Sequence, residues 1–312
     1  MLDVFMLTLN KVGVLLIFIG IGYLFRRKEL LPENAGRVMS LLCTMLFAPA
    51  YSLNNVSKQF TRDVFVEKML LVGYGVLILV AVVVVGRVLG KLMGRSDVDR
   101  SSLTYAFTFP NYGYFGYPVV EGVFGSALLA DFIIFALPTS IACSSYGYVL
   151  FQKEKNYKWT NVLKIPLVWG SVIGAIIGLS GITLPAVLSN VLTSAGNCMS
   201  PCSMLLAGFM LGKFPLKKLF NGIRPYYLTA IRMLGIPLLF GAVLMLCGVR
   251  GMYLFCPLVL VCLPLGLNLV VYPESYGYEK EAGDNAKLCF ISYLLALIIL
   301  PFIFAFLTWL CM

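Results

Sequence analysis

Apolar runs of about 20 residues, the length a helix needs to cross the hydrocarbon core of a bilayer, recur along this chain and constrain it more than any other feature. Ten can be placed, at roughly 4–25, 34–56, 66–90, 101–124, 127–151, 163–180, 185–212, 225–248, 252–275 and 286–311. Lipid offers no water to pair with backbone groups, so each run has to be helical. A soluble alternative lacks the charge to cover itself: 60% of the 312 residues are apolar, 12% are charged, and mean hydropathy is +0.91. The expected fold class is therefore an all-α integral membrane protein. The opening MLDVFMLTLN has no basic n-region and no small-residue cleavage site, so the first run is expected to be retained as a span.

Charge placement predicts orientation. Loops after odd-numbered spans carry 18 of the Lys and Arg residues, and loops after even-numbered spans carry Lys58, Arg62, Lys68 and Arg250. The excess of Lys and Arg on one side puts the odd loops in the cytoplasm and both termini outside, in a plasma or inner membrane. The net charge of +10 is accounted for by these short loops, so a nucleic-acid partner is not expected; the partner is the lipid bilayer.

Two of the ten spans cannot be uninterrupted helices. FPNYGYFGYPVVEGVFG, from Phe109 to Gly125, holds two prolines and four glycines at membrane depth. Proline removes a backbone donor and clashes with the preceding turn, which predicts a break near Pro110–Asn111. Open backbone at that depth survives only when buried in protein or lining a water-filled cavity. The ninth span has the same character around Pro264.

Pro49 and Pro110 in spans two and four are echoed by Pro201 and Pro264 in spans seven and nine, at separations of 61 and 63 residues. Tyr117-Pro118 with Glu121 and Gly125 is likewise echoed by Tyr272-Pro273 with Glu274 and Gly277. The expected organisation is a first five-helix repeat at 1–151, a cytoplasmic linker at 152–162 and a second repeat at 163–312. Five is odd, so the second repeat runs inverted. Inverted repeats with paired broken helices are a transporter signature, the breaks facing each other near the midplane and forming the site. Half-helix N-termini there suit an anionic group such as a carboxylate.

Within the breaks, the candidate substrate-binding residues are Pro110, Asn111, Tyr112 and Gly113, with Pro264 and Asn268. Asn111 and Asn268 could contact substrate or cap the second half-helix. Glu121, Asp131 and Glu274 are candidates for proton coupling, because a carboxylate inside a membrane is costly; solvation near the interface is the alternative for all three. Arg232, inside span eight, could pair with a carboxylate, snorkel, or attract an anion. Asp63, Glu67 and Lys68 are expected to form a surface ion cluster. Tyr112, Tyr114, Phe115 and Tyr117 could line a pocket or pack against neighbours. The small residues of GSVIGAIIG in span six suggest close helix packing.

Several classes are excluded. Histidine is absent from the sequence, which removes His-based metal sites, triads and relays. The nine cysteines show no CxxC spacing and read as apolar fillers. There is no Walker A motif, HExxH or DDxxD, so neither an ATPase nor a membrane enzyme is expected, and no cofactor or metal. A secondary transporter of a small organic anion fits best, with a channel or ligand-sensing receptor on the same scaffold as the alternative.

GVLLIFIGIGYLFRRKELLPENAGRVMSLLCTMLFAPAYSL resembles the opening of the auxin efflux carrier family: a glycine-bearing span, a basic turn, and a second span with a central proline. PNYGYFGYPVV is similar to that family's proline-asparagine crossover, and LPLGLNLVVYPESYG to the second crossover of its compact prokaryotic members. The resemblance implies ten spans with two crossed broken helices. Spans one, two, six and seven would form a scaffold that forms homodimers, and the other six a transport unit moving by an elevator type of alternating access. It also implies carboxylate or dicarboxylate substrates, auxin-like acids among them. Two departures stand out: only about a dozen residues, 152–163, separate the halves where plant carriers have a long loop, and Ile165-Pro166-Leu167 replaces their asparagine-flanked proline.

Overall fold

The computed structural model describes residues 1–152 and 165–311. The expected linker at 152–162, apart from Gln152, lies outside the described residues, as do Lys153, Lys155, Lys158 and Lys164. Among the described residues every regular element is helical, and a single isolated antiparallel bridge joins Pro110 to Leu265.

In chain order the helices are α1 (Leu2–Arg27), α2 (Ala35–Gln59), α3 (Arg62–Met93) and α4 (Asp97–Thr108). After the first break come α5 (112–124) and α6 (Ser126–Val149). The second half holds α7 (Pro166–Ser180), α8 (Ala186–Asn197), α9 (Met199–Leu211) and α10 (Arg224–Leu246). It closes with α11 (Met252–Cys262), α12 (Asn268–Ser275) and α13 (Glu279–Cys311). Six of these, α1, α2, α3, α6, α10 and α13, are long and apolar enough to cross a membrane, and α7 and α11 are shorter apolar helices. Outward-facing Leu77, Leu238 and Phe302 are more than 60% exposed, the surface of a chain solvated by lipid rather than water. The chain is a multi-pass membrane protein.

Local chemistry sets several helix ends. Ser96 caps α4 by accepting from the Asp99 N–H at 3.1 Å. Gly181 closes α7 in the left-handed conformation at φ 72° that glycine adopts without steric penalty.

Packing separates into two groups. The first joins α1 to α9 and α2 to α7 and α8. A Cβ added at Gly170 or Gly178 would lie 2.5 Å from the carbonyl oxygens of Pro49 or Phe60, so the small-residue stripe on α7 permits backbone-to-backbone contact with α2. Ser52 and Ser171 hydrogen bond across the same contact at 2.7 Å. The second group joins α3 to α4 and α6, and α13 to α10, α11 and α12. α1 also packs on α13 and α5, linking the groups.

Candidate functional site

Both helix breaks begin at a proline. The residue before a proline is driven out of the helical region by contact with the proline ring, and Phe109 (φ −108°, ψ 106°) and Leu263 (φ −64°, ψ 150°) are both extended. Two short extended segments result, and they pair with each other. Alongside the Pro110–Leu265 bridge, the Asn111 N–H donates to the Pro264 carbonyl at 2.8 Å. Each break thus answers part of the other's unmet backbone hydrogen bonding.

α13 braces this crossing. The Leu265 N–H donates to Ser292 Oγ at 3.1 Å, and Asn111 Nδ2 donates to the Tyr293 hydroxyl at 3.1 Å. The chain re-enters α5 through a π-turn, Tyr112–Gly116, in which the Gly116 N–H reaches the Asn111 carbonyl at 2.9 Å. A Cβ at Gly116 would lie 2.4 Å from Leu263 Cδ1, so a larger residue here would push the Leu263 side chain aside.

The side chain of Asn111 is 4% exposed and makes no helix-capping bond, so the capping role left open by the sequence is replaced by the bond to Tyr293. Asn268 opens α12 without capping it. Its Nδ2 donates to the Tyr272 hydroxyl at 3.1 Å and lies 4.0 Å from Cys143 Sγ, which is 3.0 Å from the Tyr105 hydroxyl. Pro110, Pro264 and Tyr112 are buried, and Gly113 is half-buried with Met199 of α9 as its nearest neighbour. The six candidates therefore cluster around one crossing. Phe115 stacks on Tyr293 at 6.0 Å, which makes it a packing residue.

The carboxylates fall into three settings. Glu121 accepts from the Tyr51 hydroxyl at 2.6 Å. Asp131 is ion-paired with Lys68, with side chains 17% and 10% exposed. Lys68 is thus a buried partner of α6 and not a member of the surface cluster expected with Asp63 and Glu67. Glu274 is ion-paired with Lys213, and both are more exposed.

Arg232 also departs from expectation. It neither meets a carboxylate nor snorkels: it is 1% exposed and donates to the carbonyls of Ala106 (Nε, 3.0 Å) and Val261 (Nη1). Both acceptors are backbone groups, which carry no mark in a sequence.

A cavity of about 190 Å³ lies between the end of α2, the α5–α6 junction and α8, lined by Tyr51, Asn54, Asn55, Lys58, Glu121 and Asn197 among others. Tyr51 stacks on Tyr117 at 6.0 Å, and Tyr117 meets Tyr112 edge-on at 5.9 Å, so an aromatic series leads from the cavity to the break. Asn54, Lys58 and Asn197 were not among the sequence candidates. The available signal was the polar run Asn54–Gln59 that closes α2, in which Asn54 and Lys58 lie one helical turn apart.

A multi-pass helical chain whose two interrupted helices meet through their backbones has the architecture of a membrane transport protein. The profile of the family described as "Membrane transport protein" matches residues 8–161 and again residues 155–304. The chain belongs to this family, the auxin efflux carriers. A search of curated proteins finds no match.

Proposed function

We propose that this chain is a secondary active transporter that moves a small organic anion, a carboxylate or dicarboxylate, by alternating access of the elevator type. The observation that carries the proposal is the pairing of the two breaks, with the Asn111 N–H on the Pro264 carbonyl and the Asn111 and Asn268 carboxamides beside the crossing. Broken helices paired in this way supply fixed backbone dipoles and side-chain amides at one place, which is what binding a carboxylate in the absence of bulk water demands.

In this proposal α4 with α5, α8 with α9, and α11 with α12 each complete a crossing, so that the chain crosses ten times. Its halves, 1–151 and 163–312, are inverted repeats. Two observations support the arrangement. Contacts are reciprocal between the halves: α1 packs on α9 as α7 packs on α2. The two family matches also meet at 155–161, inside the expected linker. The group containing α1, α2, α7, α8 and α9 would be the scaffold and the dimer-forming part, and the remainder the moving unit, in a cell membrane with both termini outside. Glu121, Asp131 and Glu274 are the groups through which protons would be coupled. Transport unaffected by collapsing an imposed pH gradient at fixed membrane potential removes that part of the proposal.

The test of the site is Asn111→Ala in proteoliposomes. Uptake of a labelled carboxylate is expected to be lost while the variant inserts and purifies as the native protein does. Native uptake would place the substrate elsewhere.

A further inference from the structure

Arg232 lies in a π-turn of α10, Ile231–Gly235, where one extra residue re-aims a helical side chain. Among the described residues it is the largest fully buried side chain, and no described carboxylate forms an ion pair with it. Its two acceptors share a cause. In an unbroken helix the Ala106 carbonyl would receive the N–H of residue 110, but residue 110 is proline and has none. The Val261 carbonyl would receive the N–H of Leu265, which instead donates to Ser292 Oγ. The breaks thus leave one carbonyl in the last turn of α4 and one in the last turn of α11 without a helical donor, and a single guanidinium serves both. Its Nη2 has no partner.

Four half-helix ends meet at the crossing. The C-termini of α4 and α11 each present about half a negative charge, and the N-termini of α5 and α12 each present about half a positive charge. Arg232, with one full positive charge, offsets the two negative ends. Neither the first turn of α5 nor that of α12 holds an acidic residue to offset the positive ends.

We propose that Arg232 is the positioning residue that sets the charge sign of the crossing. By neutralising the two C-terminal ends it leaves the two N-terminal ends as a net positive field, so the crossing accepts an anion and rejects a neutral molecule of the same shape. The inference rests on the crossing being the substrate site, and adds to it a residue that never touches substrate. Arg232 holds the α4 and α11 ends together through their carbonyls and supplies the charge balance from behind them.

The test compares malonate with its uncharged diamide, malonamide, on purified native protein and on Arg232→Gln, Arg232→Lys and Asn111→Ala, by thermal shift and calorimetry in detergent. Native protein is expected to bind malonate and not malonamide. Arg232→Gln should weaken malonate binding by roughly tenfold or more, equivalent to one decade in Kd, and narrow its preference over malonamide. Arg232→Lys, which keeps the charge but loses the fork, should restore the preference. A purely structural residue would change the affinity for both probes alike and would not be rescued by lysine. Malonate binding lost in Asn111→Ala but native in Arg232→Gln overturns the role of Arg232 and spares the site. Malonate binding that survives Asn111→Ala overturns the site itself. If Arg232→Gln fails to fold, the native protein decides: equal binding of malonate and malonamide, or no binding of malonate, overturns the proposal.

Discussion

The two breaks begin alike and resolve differently. Both start with an extended residue before a proline, and their backbones pair. The first returns to helix within three residues through a π-turn, with Gly116 admitting Leu263. The second, from Leu263 to Leu267, enters α12 directly, and a Cβ at Gly266 would approach the Pro110 carbonyl no closer than 3.4 Å. Their neighbours differ as well. α10 brings Arg232 to the end of α11 and reaches across to α4, whereas α3 meets α4 through Gly86 and Gly90 packed against Thr108 and Thr104. A likeness of backbone between the two breaks therefore does not extend to charge, which Arg232 of α10 brings to both.

Two ion pairs also differ in how deeply they lie, Lys68–Asp131 and Lys213–Glu274, and this difference carries the largest expected effect. Lys68→Met leaves Asp131 with an uncompensated charge in a largely buried setting and should destabilise the protein by about 3–5 kcal/mol. Lys213→Met breaks a pair whose members are 28% and 35% exposed and should cost no more than about 1 kcal/mol. Thermal unfolding of both variants in the same detergent checks the ordering, and equal losses would break the contrast.

A smaller effect separates the glycines. Gly116→Ala forces fully buried Leu263 to repack, a loss of about 1–3 kcal/mol, while Gly266→Ala should unfold close to the native temperature. Reversal of that order would mean that the second break, not the first, is the tighter. A further small effect concerns Glu121 and Glu274. Tyr51→Phe removes one hydrogen bond to Glu121 beside a cavity that water can enter, and should reduce stability by about 1 kcal/mol. Transport by this variant sharpens the comparison: a change in rate larger than the stability loss explains would mark the Tyr51–Glu121 contact as part of the moving interface, whereas Glu274, held by Lys213, has no such aromatic partner among the hydrogen bonds described.

Much of the helical plan was legible in the sequence because hydropathy and proline act locally. The apolar run at 4–25 becomes the 26-residue α1 whatever it packs against, and the ring of Pro110 or Pro264 constrains its own neighbour. The partners were not legible. Lys68 finds Asp131 across 63 residues, where sequence proximity suggested Asp63 and Glu67. Arg232 finds backbone carbonyls rather than a carboxylate. Asn111 bonds a tyrosine hydroxyl from α13 in place of a capping role. In each instance the local pattern was compatible with several partners, and only the packing of distant helices selected one.

The bond from the Asn111 N–H to the Pro264 carbonyl has a consequence for how the protein is made. During synthesis the first break leaves the ribosome long before its partner exists. Until Pro264 arrives, its open backbone faces a membrane in which each unmet polar group costs several kcal/mol. Neither half of the polypeptide can form this backbone bond alone. The crossing is a joint between segments about 150 residues apart, and a nascent protein stopped before residue 264 would be incomplete at its centre rather than at its edge.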